Sequence, residues 1–326
     1  MTGIRACCGR STVVDLLLVG VMKSGTSSLG AIVGTLPHLC HSRYGEVHFF
    51  DDDLSAGPAS QAQVRSYQER AWGQCNSHWP RFEKSPNYFL QEFTPLRICE
   101  ALGPRQKILI ILREPGARTF SEFAQHVSKK RYDGTGIHAT PAGFDTLVKV
   151  ELAISRQCNA TPGPYYSPEH IPPGVLEPWQ QCCKRVVQQT AHGISEKICQ
   201  CKQPGVRIEG LAWCHAFGAQ ALTPVRSSVY DVHIRKWLRY FYSSNLMIFR
   251  AEDLFAHMEV MVAQLLDFSL PNYVVSSRIK ELHSNSQSKK LPPMYESTRV
   301  LLTEFFAPHN ARLEALIGRE MHWPKP

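Results

Sequence analysis

The residues best placed to do chemistry lie near the start of the chain, in Gly20-Val21-Met22-Lys23-Ser24-Gly25-Thr26-Ser27-Ser28. Two glycines, a lysine and a run of hydroxyls stand between a short apolar run and a helical pattern. Backbone amides at such a turn, with a helix N-terminus behind them, form an anion site. A nucleotide-hydrolysing P-loop reads G-x-x-x-x-G-K-[ST]. Gly20 and Gly25 have that separation, but Thr26 occupies the lysine position and the lysine sits earlier, at Lys23. That shift misplaces the usual lysine contact to β- and γ-phosphates and argues against an ATPase, GTPase or P-loop kinase. The loop fits a single phosphate with a lysine at its leaving oxygen.

The loop resembles the 5′-phosphosulfate loop of the sulfotransferase superfamily, K-x-G-T-[ST]-x-L, through Lys23, Gly25, Thr26, Ser27 and Leu29. A second segment, Arg113-Glu114-Pro115-Gly116-Ala117-Arg118-Thr119-Phe120-Ser121, is similar to that family's 3′-phosphate segment, R-[DE]-P-x-x-R-x-x-S. Arg113 at a strand end and Ser121 in the next helix could share one phosphate, the arginine through a charge-assisted fork. Between the two, Glu46-Val47-His48-Phe49-Phe50-Asp51 and Glu83-Lys84-Ser85-Pro86-Asn87-Tyr88-Phe89 resemble segments of the heparan sulfate sulfotransferases. There the first supplies the base and the second a lysine facing the transferred group.

The resemblance implies binding of 3′-phosphoadenosine 5′-phosphosulfate (PAPS) by Lys23, Ser24, Gly25, Thr26, Ser27, Ser28, Arg113 and Ser121, release of adenosine 3′,5′-bisphosphate, and no metal. Glu46 is the candidate base, because an acceptor hydroxyl must lose its proton as sulfur is attacked. His48 competes for that role, since histidine titrates near neutrality. Lys23 and Lys84 suit the charge that develops on the bridging and sulfuryl oxygens. Ser288-Lys289-Lys290-Leu291 stands where the family has a basic loop over the nucleotide, often K-G-R, which assigns Lys289 and Lys290 to the donor. The end of the chain, Phe305-Phe306-Ala307-Pro308-His309-Asn310 through Trp323, matches the family's closing helix.

These residues need a scaffold of alternating strands and helices. Val13 to Val19 reads as a buried strand, and Leu29, Ile32, Val33 and Leu36 as a helix face that ends at Pro37. A second strand is expected at Val47 to Phe50 and a helix at Gln61 to Ala71. Thr94-Pro95 opens a helix that Gly103 closes. Lys107 to Leu112 reads as a central strand followed by a helix from Pro115. Further helices are expected at Phe144 to Ile154, Ser228 to Tyr242, Glu252 to Leu266 and Tyr295 to Ile317, the last with a break at Pro308, and a strand at Asn245 to Phe249. The expected fold is α/β, a P-loop-like doubly wound parallel sheet flanked by helices, forming a single domain over 1–326 with an irregular cysteine-rich insertion at 157–225.

The 36 basic and 28 acidic residues leave a net charge of +8, spread thinly, which suits anionic ligands and not nucleic acid. No apolar run is long enough to span a bilayer. Of 11 cysteines, Cys158, Cys182, Cys183, Cys199, Cys201 and Cys214 cluster in the insertion, and this favours local disulfides over zinc. The family points to the Golgi lumen, and the lack of an anchor to the cytoplasm if the chain is complete as given. The expected acceptor is a glycan; the alternatives are a small-molecule sulfotransferase and a catalytically silent nucleotide-binding protein.

Overall fold

The computed structural model describes residues 13–51, 59–91, 93–157, 176–191, 193–195, 224–271, 273 and 291–326. The chain divides into two compact units, Met1–Arg113 with Arg235–Ser286 and Glu114–Ile234 with Gln287–Pro326.

The first unit holds a five-stranded sheet built from β1 (Leu16–Gly20), β2 (Cys40–His41), β3 (Arg81–Lys84), β4 (Lys107–Leu112) and β5 (Leu246–Arg250), in the order β2-β3-β1-β4-β5. Every pairing is parallel, with Leu16 opposite Phe82 on one side and Lys107 on the other. Parallel strands covered on both faces need continuous apolar runs, and Leu-Leu-Leu-Val-Gly and Ile-Leu-Ile-Ile-Leu supply them at the centre. Helices α1 (Thr26–Val33), α2 (Gln61–Trp72), α3 (Thr94–Leu102), α8 (Ala251–Ala256) and α9 (Met258–Ser269) belong to this unit. Leu29, Ile32 and Val33 of α1 pack with Leu254, Val262 and Leu265 over Leu16, Leu18, Leu109 and Ile111. Lys236 and Trp237 close another part of the unit, donating to the carbonyls of Leu90, Gln91 and Phe89.

The second unit is helical: α4 (Pro115–Ser128), α5 (Pro141–Gln157), α6 (Leu176–Thr190) and α10 (Glu296–Ile317) surround Phe123, Phe144, Leu147, Cys183, Val187, Leu302 and Phe306. Arg118, fully buried, donates to Ser228 Oγ and the Pro224 carbonyl and pairs with Glu122. Among the described residues, no helix is long and apolar enough to cross a membrane.

The central strands of the sheet and most helices fall where the sequence places them, with differences elsewhere. Val47 to Phe50 is a turn and not a strand: its amides are taken by side-chain hydroxyls, and Phe49 and Phe50 are both buried instead of alternating. The strand that fills this part of the sheet is β3, whose sequence Arg-Phe-Glu-Lys is too charged to read as a sheet strand. The helix expected at Glu252 to Leu266 is two, because His257 leaves helical geometry at φ −139°, ψ 48°. Helix α10 runs unbroken through Pro308, held by Leu302, Phe306 and Leu313. Helix α7 spans only Tyr230–Trp237, since Arg226–Ser228 forms a 3-10 turn before it.

Candidate active site

In a doubly wound sheet, ligands sit beyond the carboxyl ends of the strands, where the strand order reverses. Here the chain lays β3 on one side of β1 and then β4 on the other. The segments leaving β1, β2, β3 and β4 carry Lys23, Glu46, Lys84 and Arg113.

The loop after β1 forms a cradle whose backbone suits an anion. Lys23 (φ +71°) and Gly25 (φ +93°) adopt left-handed backbone. Gly25 is the N-cap of α1 and no side chain caps that helix, so its first amides keep their donor capacity for a ligand. A Cβ on Gly25 would meet the Phe255 ring at 2.8 Å, so position 25 is closed by space as well as by conformation. Ser24 Oγ is fully buried in this loop and has no hydrogen-bond partner among the described residues. A buried hydroxyl of that kind fits a bound phosphate or sulfuryl oxygen. Arg113 Nη1 donates to the Lys23 carbonyl at 3.2 Å, which brings the cation after β4 against the loop after β1.

Beside the cradle, Lys84 Nζ donates to Glu46 Oε1 at 2.6 Å, and Glu46 Oε2 lies 3.4 Å from His48 Nε2. The other imidazole nitrogen, Nδ1, is 3.1 Å from Asp51 Oδ2, which also accepts from Asn87 Nδ2 at 2.9 Å. Burial alone would raise the Glu46 carboxyl; hydrogen bonds from His48 and Lys84, with their charge, outweigh it and hold the group at about 2. The Lys84 stem passes over Gly30 of α1, where a Cβ would come within 2.9 Å of its Cδ and 3.9 Å of His41 Nε2. Burial lowers the His41 imidazole, and the nearby Lys84 charge adds to this against the Ser42 carbonyl, which raises it. The arrangement sets one carboxylate against a lysine and a histidine, close to the N-terminus of α1.

The profile of the sulfotransferase domain family matches residues 14–289. This chain belongs to that family. The sulfotransferase is 24% identical over 97% of its length to heparan sulfate glucosamine 3-O-sulfotransferase 6 of Homo sapiens, of which it covers 75%. It is also 24% identical over 93% of its length to the bifunctional heparan sulfate N-deacetylase/N-sulfotransferase 2 of Bos taurus, of which it spans 29%. The crystal structure of a sulfotransferase from Alicyclobacillus acidocaldarius superposes with a TM-score of 0.57 at 20% identity, over 94% of this chain and 96% of that one, and so shares its fold.

Of the site residues expected from the sequence, the structure gathers Lys84, Glu46 and His48 in one chain of contacts and Lys23 with Arg113 in another. Thr26 is buried and Ser27 and Ser28 open α1. Ser121 is half-buried on α4 in the second unit. Lys289 and Lys290 lie outside the described residues. The sulfotransferase's Glu114 is not a surface partner for arginine alone: its carboxylate caps α4, accepting from Gly116 N and Ala117 N. Arg118 of the same segment is fully buried. The Asp51 side chain is fully buried against His48 and Asn87.

Among the described residues, Cys40–Cys75 is a disulfide that ties β2 to the turn after α2, outside the cluster, and Cys99 and the cluster members Cys182 and Cys183 are disulfide-bonded as well. Cys182 and Cys183 lie on α6, so part of the insertion is helical, and Cys158, Cys199, Cys201 and Cys214 lie outside the described residues. The residues that sequence reasoning missed are Tyr67, Glu83, Ser85 and Tyr88. Glu83 is fully buried, accepts from Ser85 Oγ at 2.7 Å and takes the Tyr67 hydroxyl on its other oxygen. The signal available for Glu83, Ser85 and Tyr88 is their place in the Glu83 to Phe89 segment, whose resemblance singles out only Lys84.

Proposed function

We propose that the chain transfers a sulfuryl group from PAPS to a hydroxyl or amine of a carbohydrate acceptor, with Glu46 as the base. The observation that carries this reading is the Lys84–Glu46 contact beside an anion cradle at the carboxyl ends of adjacent parallel strands.

The residues of the cradle suit the donor. Ser24 Oγ and the first amides of α1 would hold the 5′-phosphate, Lys23 would stand at its bridging oxygen, and Arg113 would take the 3′-phosphate. In the reaction the acceptor oxygen bonds to sulfur while the bond from sulfur to the bridging oxygen breaks. The acceptor proton goes to Glu46, and adenosine 3′,5′-bisphosphate leaves. In the free protein His48 and Lys84 together hold Glu46 at about 2, a weak base. When Lys84 turns to the incoming sulfuryl oxygens it gives up that contact, and Glu46 becomes more basic when proton transfer is needed. His48, fixed by Asp51, orients Glu46 and is the positioning partner in this scheme.

A glycan acceptor is supported by the named relatives and by the net charge of +8, which suits sulfated or carboxylated sugars. The Cys40–Cys75 disulfide supports an oxidising compartment, and with the family it favours the Golgi lumen over the cytoplasm.

Calorimetry with adenosine 3′,5′-bisphosphate and 5′-AMP tests the donor site. Binding that requires the 3′-phosphate and weakens in Arg113→Ala and Lys23→Ala supports it; equal binding of both nucleotides refutes it. Transfer of labelled sulfate to a desulfated heparan-type polysaccharide, and not to a simple phenol, supports the acceptor class. Glu46→Gln is expected to lower kcat by about 10²–10⁴-fold with nucleotide binding retained. A larger loss in His48→Asn than in Glu46→Gln would transfer the base role to His48.

A further inference from the structure

The turn that carries Glu46 and His48 is not held by a sheet ladder. Its amides are received by two hydroxyls: Ser85 Oγ accepts from Val47 N at 3.1 Å and His48 N at 3.3 Å, and the Tyr88 hydroxyl accepts from Phe50 N at 3.2 Å. A hydroxyl has one hydrogen, and it can accept from these amides only if that hydrogen is spent elsewhere. Both are spent on one group. Ser85 Oγ donates to Glu83 Oε1, and the Tyr88 hydroxyl bonds the same carboxylate, which also takes the Tyr67 hydroxyl on Oε2.

Glu83, Ser85, Tyr67 and Tyr88 are all fully buried, so no solvent can replace a missing partner. We infer that Glu83 is a positioning residue for the reaction: by accepting the hydroxyl hydrogens of Ser85 and Tyr88 it turns their lone pairs toward Val47, His48 and Phe50 and thereby fixes Glu46 and His48. The inference rests on the reading of Glu46 as base. Glu83 touches neither donor nor acceptor in this scheme; it acts two bonds away.

The chemistry of an amide makes the idea testable. A carboxylate can accept from all three hydroxyls, whereas glutamine presents one accepting oxygen and one donating nitrogen. In Glu83→Gln at least one hydroxyl must reverse; if it is that of Ser85 or Tyr88, its hydrogen is set against backbone N–H groups that already point at it. Displacing Glu46 by a fraction of an ångström to one ångström is expected to lower kcat by about 100-fold. The KM for PAPS and the affinity for adenosine 3′,5′-bisphosphate should stay at the wild-type level, because the cradle after β1 is untouched.

The experiment uses the full chain with Glu83→Gln, Ser85→Ala and Ser85→Thr. It measures kcat and KM for PAPS, bisphosphate affinity by calorimetry, and residue-resolved hydrogen exchange. The expected result is a fall in kcat alone for Glu83→Gln and Ser85→Ala, recovery of most of the rate in Ser85→Thr, and faster exchange at Val47, His48 and Phe50 with β4 amides unchanged. Wild-type kcat in both loss variants with those three amides still protected would overturn the proposal. So would losses in Ser85→Ala that Ser85→Thr does not restore. If Glu83→Gln does not fold, the serine pair decides. If the wild-type chain transfers no sulfuryl group, the reaction reading fails on its own and the exchange rates still decide whether Glu83 sets the turn.

Discussion

Lys84 Nζ and Glu46 Oε1 stand 2.6 Å apart, joining the last residue of β3 to the turn that follows β2. The pair unites two side chains that the proposed reaction must use separately, one against the sulfuryl oxygens and one against the acceptor proton. Lys84→Met breaks the contact without removing the stem that lies over Gly30. The Glu46 carboxyl, held at about 2, is expected to move up toward the ordinary carboxylate range, with His48 still limiting the rise. NMR titration of the Glu46 carboxyl carbon in the free protein checks this. Loss of the lysine from the transition state should raise the barrier by about 2–4 kcal/mol.

The same ion pair makes a small contribution to stability whose sign follows from the depressed carboxyl. It is complete above the unfolded-state value and is lost as pH falls toward about 2. Glu46 is 41% exposed, so solvent screening keeps the contribution small.

Gly30 separates stability from activity. An alanine there would place its Cβ 2.9 Å from Lys84 Cδ and 3.3 Å from Cε, atoms of a flexible side chain that can shift. Alanine is also favoured over glycine inside a helix by up to about 1 kcal/mol. Gly30→Ala is therefore expected to leave the melting temperature unchanged or higher while sulfuryl transfer falls. A lower melting temperature with full activity would show that Lys84 does not occupy the space above α1.

Glu151, in the second unit, predicts a pH dependence of stability. Burial, then the neighbouring Glu122, pushes its carboxyl up to about 8 against the amides of Val225 and Arg226. A carboxyl raised in the folded state favours folding below its unfolded value near 4.5, and that advantage is lost as pH rises through about 8. Denaturant unfolding between pH 5 and 9 is expected to show falling stability in the wild type, by at most about 5 kcal/mol, and a flatter profile in Glu151→Gln.

The Cys40–Cys75 bridge closes a stretch with a sequence separation of 35 that includes the Glu46 turn and α2. Replacing both cysteines with serine should cost about 4 kcal/mol if the bridge acts by restricting the unfolded chain. Thermal unfolding with and without a reductant checks this, with the double variant shifted less by the reductant than the wild type.

What could be read from the sequence follows from how local each signal is. The cradle was legible because Gly20, Lys23, Gly25 and Thr26 announce it within a few residues, and β4 because Ile108 to Leu112 is an unbroken apolar run. Glu46, His48 and Lys84 were legible only as a resemblance, since their contact spans 38 positions. The strand β3 stayed hidden because Arg81 to Lys84 has one apolar residue in four. Val47 to Phe50 misled because valine and phenylalanine favour strands, and nothing local reveals that Ser85 and Tyr88 will claim its amides. Periodicity reports which face of an element is apolar; it does not report which distant hydroxyl completes a turn.

The buried Glu83 cluster also bears on how such a chain can vary over descent. Tyr67, Glu83, Ser85 and Tyr88 each satisfy a partner that has no substitute in the dry interior, so a change at one leaves a neighbour unmatched until a second change answers it. Serine to threonine at 85 is the one mild step open. The four positions should therefore be inherited as a block, so related chains would carry the whole set or a different solution altogether, with few intermediates between them.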